Sequence, residues 1–497
     1  MLFVFKKSNS IRMKNNLFLL IPFFSILLLL TGCYKMRDSR GGGQSSNIEI
    51  RKTDPSDVLL PPGYRIEVLA DGFTFPSDIV FDESGTPYIL EAGYAYGEAW
   101  AEPRLIKLEG NSKTIIAKGE RNGPWTGVTY HDGNFYVSEG GEGDGGRILR
   151  ISPKGEIIVL VENLPSVGDH HTNVPIIKDG YLYFGQGTAT NSGIVGEDNA
   201  KFGWLMRKPK FHDIPCGDII LTGENFESLN VQTEDSLDTV FTGAYSSFGV
   251  STDAGTVIKG NIPCTGAIMR IPINGGDLEV VAWGLRNPFG LAISPDGKLY
   301  TTENSYDERG SRPVWGSGDV LWQVKENVWY GWPDFSAGKA IVNNDEFRSS
   351  NGMELKPLLK VYPNAPPKPV AILGVHSSSN GLAFSTNESF GYHGEAFIAQ
   401  FGDMAPNAGK VMYPVGYKVV RVNVNSGVIR DFAVNKGKRN GPASWLETNG
   451  LERPISVKFD SDGKSLYLVD FGIVRITDKG TESKINTGVV WKIVKED

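Results

Sequence analysis

At 497 residues, with 40% hydrophobic and 22% charged side chains, the chain is too long for one small domain and too apolar for wholesale disorder. A formal net charge of −7 argues against a nucleic-acid binder, because neutralising phosphates needs a basic face. The 60 glycines, about 12% against a usual level of roughly 7%, point to many tight turns and an all-β architecture.

The N-terminus reads as a targeting segment. Lys6, Lys7, Arg12 and Lys14 precede an apolar run from Leu17 to Leu30, broken only by Pro22 and Ser25. Fourteen residues are too few to span a roughly 30 Å hydrocarbon core as a helix, so the run is expected to be a signal-peptide core. Leu30-Thr31-Gly32-Cys33 resembles a bacterial lipobox, which implies lipidation of Cys33 and removal of residues 1–32. Cleavage would strip four positive charges and take the net charge from −7 to −11. Residues 33–60, polar and rich in Gly and Ser, then read as a flexible tether between a lipid anchor in the cell envelope and a domain at 61–497. Cys216 and Cys264 remain; an exported chain meets oxidising conditions, which permit a disulfide between them without requiring it.

The rest is one unit written six times. Each copy has a polar or Pro-bearing step, an alternating strand, a glycine turn, and a second strand ending on an acid or amide. The copies run from Phe75 to Glu91, Pro124 to Glu139, His171 to Gln186, Asn287 to Glu303, Ser379 to Gln400 and Arg453 to Asp470. Their turn glycines, Gly85, Gly133, Gly180, Gly297, Gly394 and Gly463, are spaced 48, 47, 117, 97 and 69 residues apart. Further strand pairs between copies, such as Ala267-Ile-Met-Arg-Ile271 with Leu278-Glu-Val-Val281, make four strands per unit, which is a propeller blade. The 117-residue interval has room for a seventh blade but holds no seventh copy. Tyr64-Arg-Ile-Glu-Val-Leu-Ala70 resembles the last strand of an internal blade, and Gly488-Val-Val-Trp-Lys-Ile-Val494 resembles a third strand. The expectation is a six-bladed β-propeller with one blade closed by both termini.

Propeller geometry brings two sets of side chains to one channel mouth. The leading set comprises Phe75 and Pro76, Pro124 and Trp125, Asp169 to His171, Arg286 and Asn287, Ser379 and Asn380, and Arg453 and Pro454. The closing set is Glu91, Glu139, Gln186, Glu303, Gln400 and Asp470. An imidazole beside a carboxylate, as in Asp169-His170, is a candidate general base. Arg286 offers a fixed positive charge for an anionic cofactor or a developing oxyanion. Four carboxylates on one rim suggest a bridging cation, with calcium the natural choice for an exported protein. Plainer roles stand beside these: a turn cap for His170 and His171, a structural ion pair for Arg286, and solvated strand ends for the closing acids.

Gly168-Asp-His170, Gly284-Leu-Arg-Asn-Pro-Phe-Gly-Leu-Ala292 and Tyr330-Gly-Trp-Pro333 resemble the glucose/sorbosone dehydrogenase family. Its members are exported six-bladed propellers that bind pyrroloquinoline quinone (PQQ) and calcium, and the resemblance extends over roughly residues 60–495. It implies His170 as the base that takes a sugar hydroxyl proton, oriented by Asp169, and Arg286 and Asn287 as quinone contacts. It further implies that Glu303-Asn304-Ser305-Tyr306 holds the cofactor calcium through backbone carbonyls, and that Asp319 and Tyr330 belong to a neighbouring structural calcium site. Arg421 matches a partner for a cofactor carboxylate, and Asn122 an amide near the substrate. Where glucose-oxidising members place a cofactor-binding Lys, this chain has Gln400-Phe-Gly-Asp403, with Lys410 on a nearby loop. The implied function is oxidation of a sugar or related alcohol or aldehyde, with electrons passed to an envelope acceptor. Two other functions suit the same face: a non-catalytic propeller binding a glycan or protein, and a calcium-dependent lactonase-like hydrolase.

Overall fold

The computed structural model describes residues 50–95, 99–141, 143–404, 413–477 and 480–496; the expected signal segment, Cys33 and Lys410 lie outside the described residues. Six antiparallel sheets radiate from a common axis. Their innermost strands are Pro76–Phe81 in blade 1, Trp125–His131 in blade 2, Thr172–Lys178 in blade 3, Pro288–Ile293 in blade 4, Ser379–Phe384 in blade 5 and Pro454–Phe459 in blade 6. Each of these strands lies against the next, and blade 6 returns to blade 1, so the ring is closed.

Burial follows from that position. The inner strands sit between two neighbouring blades and are apolar or bonded on both faces, whereas the outermost strand of blade 2, Ile157–Leu164, is mostly exposed. The six turn glycines share left-handed φ values from 69° to 80°. At five of them a Cβ would meet no atom within 4 Å, so glycine is required there by backbone conformation rather than by crowding.

The two ends of the chain meet in blade 6. Tyr64–Phe73 pairs antiparallel with Gly488–Lys495, from Tyr64 opposite Lys495 to Phe73 opposite Gly488. Residues 51–59, expected to lie in the tether, pack on the propeller. Arg51 donates to the carbonyls of Thr487 (2.8 Å) and Gly450 (2.9 Å) and pairs with the buried Asp470 carboxylate. Val58–Leu59 then adds a fifth strand to blade 5. Residues 51–59 are therefore part of the domain, because Arg51 finds a fully buried counter-charge there.

The long intervals are insertions rather than a seventh blade. Between the second and third strands of blade 3 the chain forms two short helices, Glu197–Lys201 and Trp204–Arg207, and a hairpin of Asn225–Leu229 with Thr239–Gly243. A disulfide joins Cys216 to Cys264 across this insertion. Its apolar residues Ile194, Leu221 and Tyr245 pack with Tyr306, Trp329 and Trp332 from the blade 4 side, so the two insertions form one cap beside the channel mouth.

Candidate active site

The closing residues are all buried, from Asp470 at 0% to Glu303 at 8% exposure. Each is bonded to the leading segment of its own blade. Glu91 accepts from the Thr74 amide (2.7 Å), Glu303 from the Arg286 amide (2.5 Å) and Asp470 from the Arg453 amide (2.8 Å). Glu139 accepts from the Trp125 indole (3.3 Å), Gln186 from the Thr172 hydroxyl (2.9 Å), and Gln400 donates to the Ser379 hydroxyl (3.1 Å). The ring that the sequence suggested as a cation rim is a set of internal clamps.

His170 lies inside this ring at the head of blade 3. Its Nδ1 is 2.9 Å from the Thr188 carbonyl and 3.1 Å from the Thr188 hydroxyl. A carbonyl only accepts, so Nδ1 carries the proton and Nε2 keeps its lone pair. No described residue meets Nε2. Burial, then the charges of Arg286 and Arg309, hold the imidazole well below its ordinary value, so it is neutral at pH 7. Thr188 is fixed in turn: its amide donates to the Arg286 carbonyl (2.8 Å). Asp213, from the insertion, accepts from the Ala189 amide (2.7 Å) and from the hydroxyls of Thr190 (2.5 Å) and Thr265 (3.0 Å). Burial raises the Asp213 carboxyl to about 6.

Asp169 does not orient His170. Its carboxylate accepts from the Trp204 indole (2.7 Å) and Asn199 (3.0 Å) and forms an ion pair with Arg309 (2.7 Å). Adjacent residues point to different sides, so the neighbour in sequence is replaced by a carbonyl 18 residues away.

Arg286 is buried, and four of its five N–H donors are spent within the protein. They go to the Asn191 carbonyl (3.1 Å), the Asn191 amide oxygen (3.0 Å), the Asn304 carbonyl (3.2 Å) and Asp307 (2.9 Å). One Nη1 hydrogen is left over. Asn287 donates to Asn304 (3.0 Å) and accepts from Asn173 (2.8 Å), while Asn304 donates to the Ser379 carbonyl (3.0 Å). This chain of amides ties the heads of blades 3, 4 and 5 together.

Asp307 and Arg309, which sequence reading did not single out, complete the charge balance. Asp307 pairs with Arg286 and Arg309 (3.0 Å) through one oxygen and with His376 Nδ1 (3.2 Å) through the other. Burial raises its carboxyl, but Arg286, His376 and Arg309 outweigh that and hold it well below the usual range. Arg309 also pairs with Asp198 (2.6 Å). His376 was legible in principle, since it precedes the leading pair Ser379 and Asn380 of blade 5 as His170 precedes the first strand of blade 3.

Several side chains of residues implied by the resemblance are bonded within the protein. Asp319 accepts from the Ser305 amide (3.1 Å) on one oxygen, and from the Ser377 hydroxyl (2.9 Å) and Ser379 amide (2.8 Å) on the other. The Ser305 hydroxyl joins Ser317 and Ser336 in a buried chain, and the Tyr306 hydroxyl donates to the Phe335 carbonyl (2.8 Å). The Tyr330 hydroxyl bonds Gln323 (2.8 Å), at the opposite end of Gly318–Gln323 from Asp319, so those two side chains do not converge. Glu303 is held by the Arg286 amide and the Trp322 indole (2.6 Å), and burial raises it to about 7. Among the described residues no three His, Cys, Asp or Glu side chains form a metal cluster. Arg421 is likewise misplaced for a ligand: it pairs with Glu395 and stacks over Tyr392 (3.8 Å), near the turn at the far end of blade 5. Asn122 spends its amide on Glu139 (2.8 Å), the Gly145 carbonyl (3.0 Å) and the Asp144 amide (2.7 Å).

The whole architecture has solved counterparts. It is similar to a calcium structure of a Trichoderma reesei carbohydrate-active enzyme of family AA12, with TM-score 0.54, 15% identity, and coverage of 90% of this chain and 100% of that one. It is also similar to the holo form of the PQQ domain of pyranose dehydrogenase from Coprinopsis cinerea, with TM-score 0.54, 14% identity, and coverage of 90% and 98%. The apo-form of soluble aldose sugar dehydrogenase from Escherichia coli matches with TM-score 0.50, 14% identity, and coverage of 87% and 100%. The shared feature is the fold. No family model matches the chain, and no curated protein matches it. The resemblance carried by Gly168-Asp-His170 and Arg286-Asn-Pro-Phe-Gly-Leu-Ala292 thus accompanies a six-bladed propeller of the kind built by soluble PQQ-dependent sugar dehydrogenases.

Proposed function

We propose that the protein is an oxidoreductase that oxidises a hydroxyl of a sugar or related alcohol, with His170 as the base and PQQ as the electron acceptor. The observation that carries this is His170 itself, a neutral imidazole with Nδ1–H locked on a carbonyl and Nε2 open, beside a guanidinium with one donor to spare. The likeness of fold to quinoprotein sugar dehydrogenases supports the choice of acceptor and substrate class.

A quinone fits, because its carbonyl and carboxylate oxygens need N–H donors, and Arg286 retains one at the mouth. For calcium the resemblance assigns the backbone carbonyls of residues 303–306. Of these, the Asn304 carbonyl accepts from Arg286 (3.2 Å), while the carbonyls of Ser305 and Tyr306 accept from no described donor and suit an oxygen-seeking cation. No step is assigned to calcium, and no observation favours the lactonase-like alternative.

Bound PQQ would supply a two-electron acceptor. The chain's own contribution begins at His170 Nε2, which takes the hydroxyl proton of the sugar. The Thr188 carbonyl keeps the ring in the tautomer that can do so, and Asp213 fixes the loop that carries Thr188. Arg286 stays oriented by Asn191 and Asp307, which leaves its remaining N–H available to stabilise developing charge without reorganisation. Export and anchoring through Cys33, with electrons leaving to an envelope acceptor, complete the proposal, and the Cys216–Cys264 bond is in keeping with an oxidising compartment.

Reconstitution with PQQ, followed by dye reduction over a panel of sugars, tests this reading. His170→Ala is expected to lower turnover by roughly 10²- to 10⁴-fold while leaving the melting temperature unchanged. Absence of any PQQ-induced absorbance change in the wild-type protein would defeat the quinone assignment.

A further inference from the structure

The head of blade 5 holds hydrogen-bonding capacity that the protein does not use. His376 is buried, its side chain 6% exposed, and only its Nδ1 is engaged, by Asp307 (3.2 Å). Its Nε2 is buried without a partner. Asn380, 1% exposed, has neither its amide nitrogen nor its amide oxygen bonded. Two unpartnered polar side chains this deeply buried are unusual in a folded protein, where such groups cost free energy unless something satisfies them.

The backbone between them is strained and pinned. His376 and Ser378 both have left-handed φ, 57° and 50°, a conformation that non-glycine residues adopt at a cost of about 1–3 kcal/mol each. Asp319 holds this turn through the Ser377 hydroxyl and the Ser379 amide, and blade 5's own second strand leads into amides at Phe401 and Gly402 that bond the carbonyls of Ser378 and Ser377 (both 2.9 Å). A turn held this firmly sets the direction of His376 rather than leaving it to solvent.

The neighbours are suited to an anion. Asp307 holds Arg286 Nη2 on one of its oxygens and His376 Nδ1 on the other, so the guanidinium and the imidazole are anchored by a single carboxylate. Asn380 is the second residue of its inner strand, the position taken by Phe289 in blade 4 and Ile455 in blade 6. Phe289 packs with the cluster containing Ile455, so this position faces the channel. Burial lowers the His376 imidazole, but Asp307, with the further carboxylates of Asp403 and Asp319, more than offsets it and favours the protonated ring, in which Nε2 is a donor.

We propose that His376 Nε2 and the Asn380 amide, with the spare N–H of Arg286, form a subsite that binds a carboxylate of the ligand. That chemistry has two sources: a carboxylate of the quinone, for which this inference rests on the reading given above, or the carboxylate of an acidic sugar. In the first case the subsite takes over the work expected of the absent Lys and of the distant Arg421.

Titration of the full chain with PQQ, followed by absorbance, and with D-glucuronate, followed by calorimetry, separates the sources. D-Glucose serves as the uncharged control. His376→Ala is expected to weaken binding of the carboxylate ligand roughly 10- to 100-fold, as loss of one charge-assisted hydrogen bond would. His376→Gln, which keeps an N–H donor, is expected to recover part of that loss, and Asn380→Leu to weaken binding several-fold. Weakening confined to PQQ assigns the subsite to the quinone. If the wild type ignores PQQ but binds D-glucuronate through His376, the quinone reading fails and the subsite stands. Equal affinity of His376→Ala and wild type for both ligands, or no binding of either by the wild type, overturns the inference; thermal melts verify that each variant is folded.

Discussion

The heads of blades 2 and 5 occupy the same place in the repeat, yet one is closed and the other is left open. In blade 2, Glu139 collects the Asn122 amide and the Trp125 indole, and Asn122 spends its remaining capacity on the loop at 144–145. In blade 5, the corresponding clamp is a single bond from Gln400 to Ser379, while His376 and Asn380 keep buried atoms without partners. A repeat explains the first arrangement, because Asn122, Trp125 and Glu139 all serve the blade. It does not explain the second, where burial has been tolerated without compensation, and such places are where a ligand completes the structure.

That contrast is open to direct attack. Glu139→Ala removes the acceptor from three donors in a buried site, so it should cost roughly 3–5 kcal/mol of stability in denaturant unfolding while leaving PQQ affinity untouched. A smaller effect is expected from Asp213. Its pKa is raised to about 6, so between 3.8 and 6 the folded chain holds a proton that the unfolded chain has released. Stability from this group therefore falls as pH rises through that window, by at most about 3 kcal/mol. Asp213→Asn should flatten that part of the slope, measured by thermal melts from pH 4 to 8. Asn380→Leu has the opposite sign to Glu139→Ala: replacing an unsatisfied buried amide with an apolar side chain of similar size should raise stability by about 1 kcal/mol. A loss of stability there would mean that the amide is satisfied after all. Arg421→Ala should cost under about 1 kcal/mol and leave PQQ affinity unchanged, because its partners Glu395 and Tyr392 lie far from the mouth.

How much of this was legible follows from what each signal measures. Strand alternation and turn glycines are local, so six copies, their inner strands and the common face of their leading residues can be read directly. The pairing partners of those residues are set by neighbours dozens of positions away. Asp169 beside His170 suggested a dyad, but strand-end geometry sends one to Arg309 and the other to Thr188. The closing acids suggested a cation rim because a sequence shows charge without showing the amide that each carboxylate accepts.

From its amino-acid order alone the chain determined a closed wheel of six β-blades, since periodicity of two and left-handed glycine turns are properties of short segments. Only tertiary structure decided which rim groups are consumed and which remain available, because hydrogen-bond satisfaction depends on burial and on partners brought together across blades. The insertions show the same division: their lengths are countable in the sequence, while their supply of Asn199, Trp204 and Asp213 to the mouth exists only once the chain has folded.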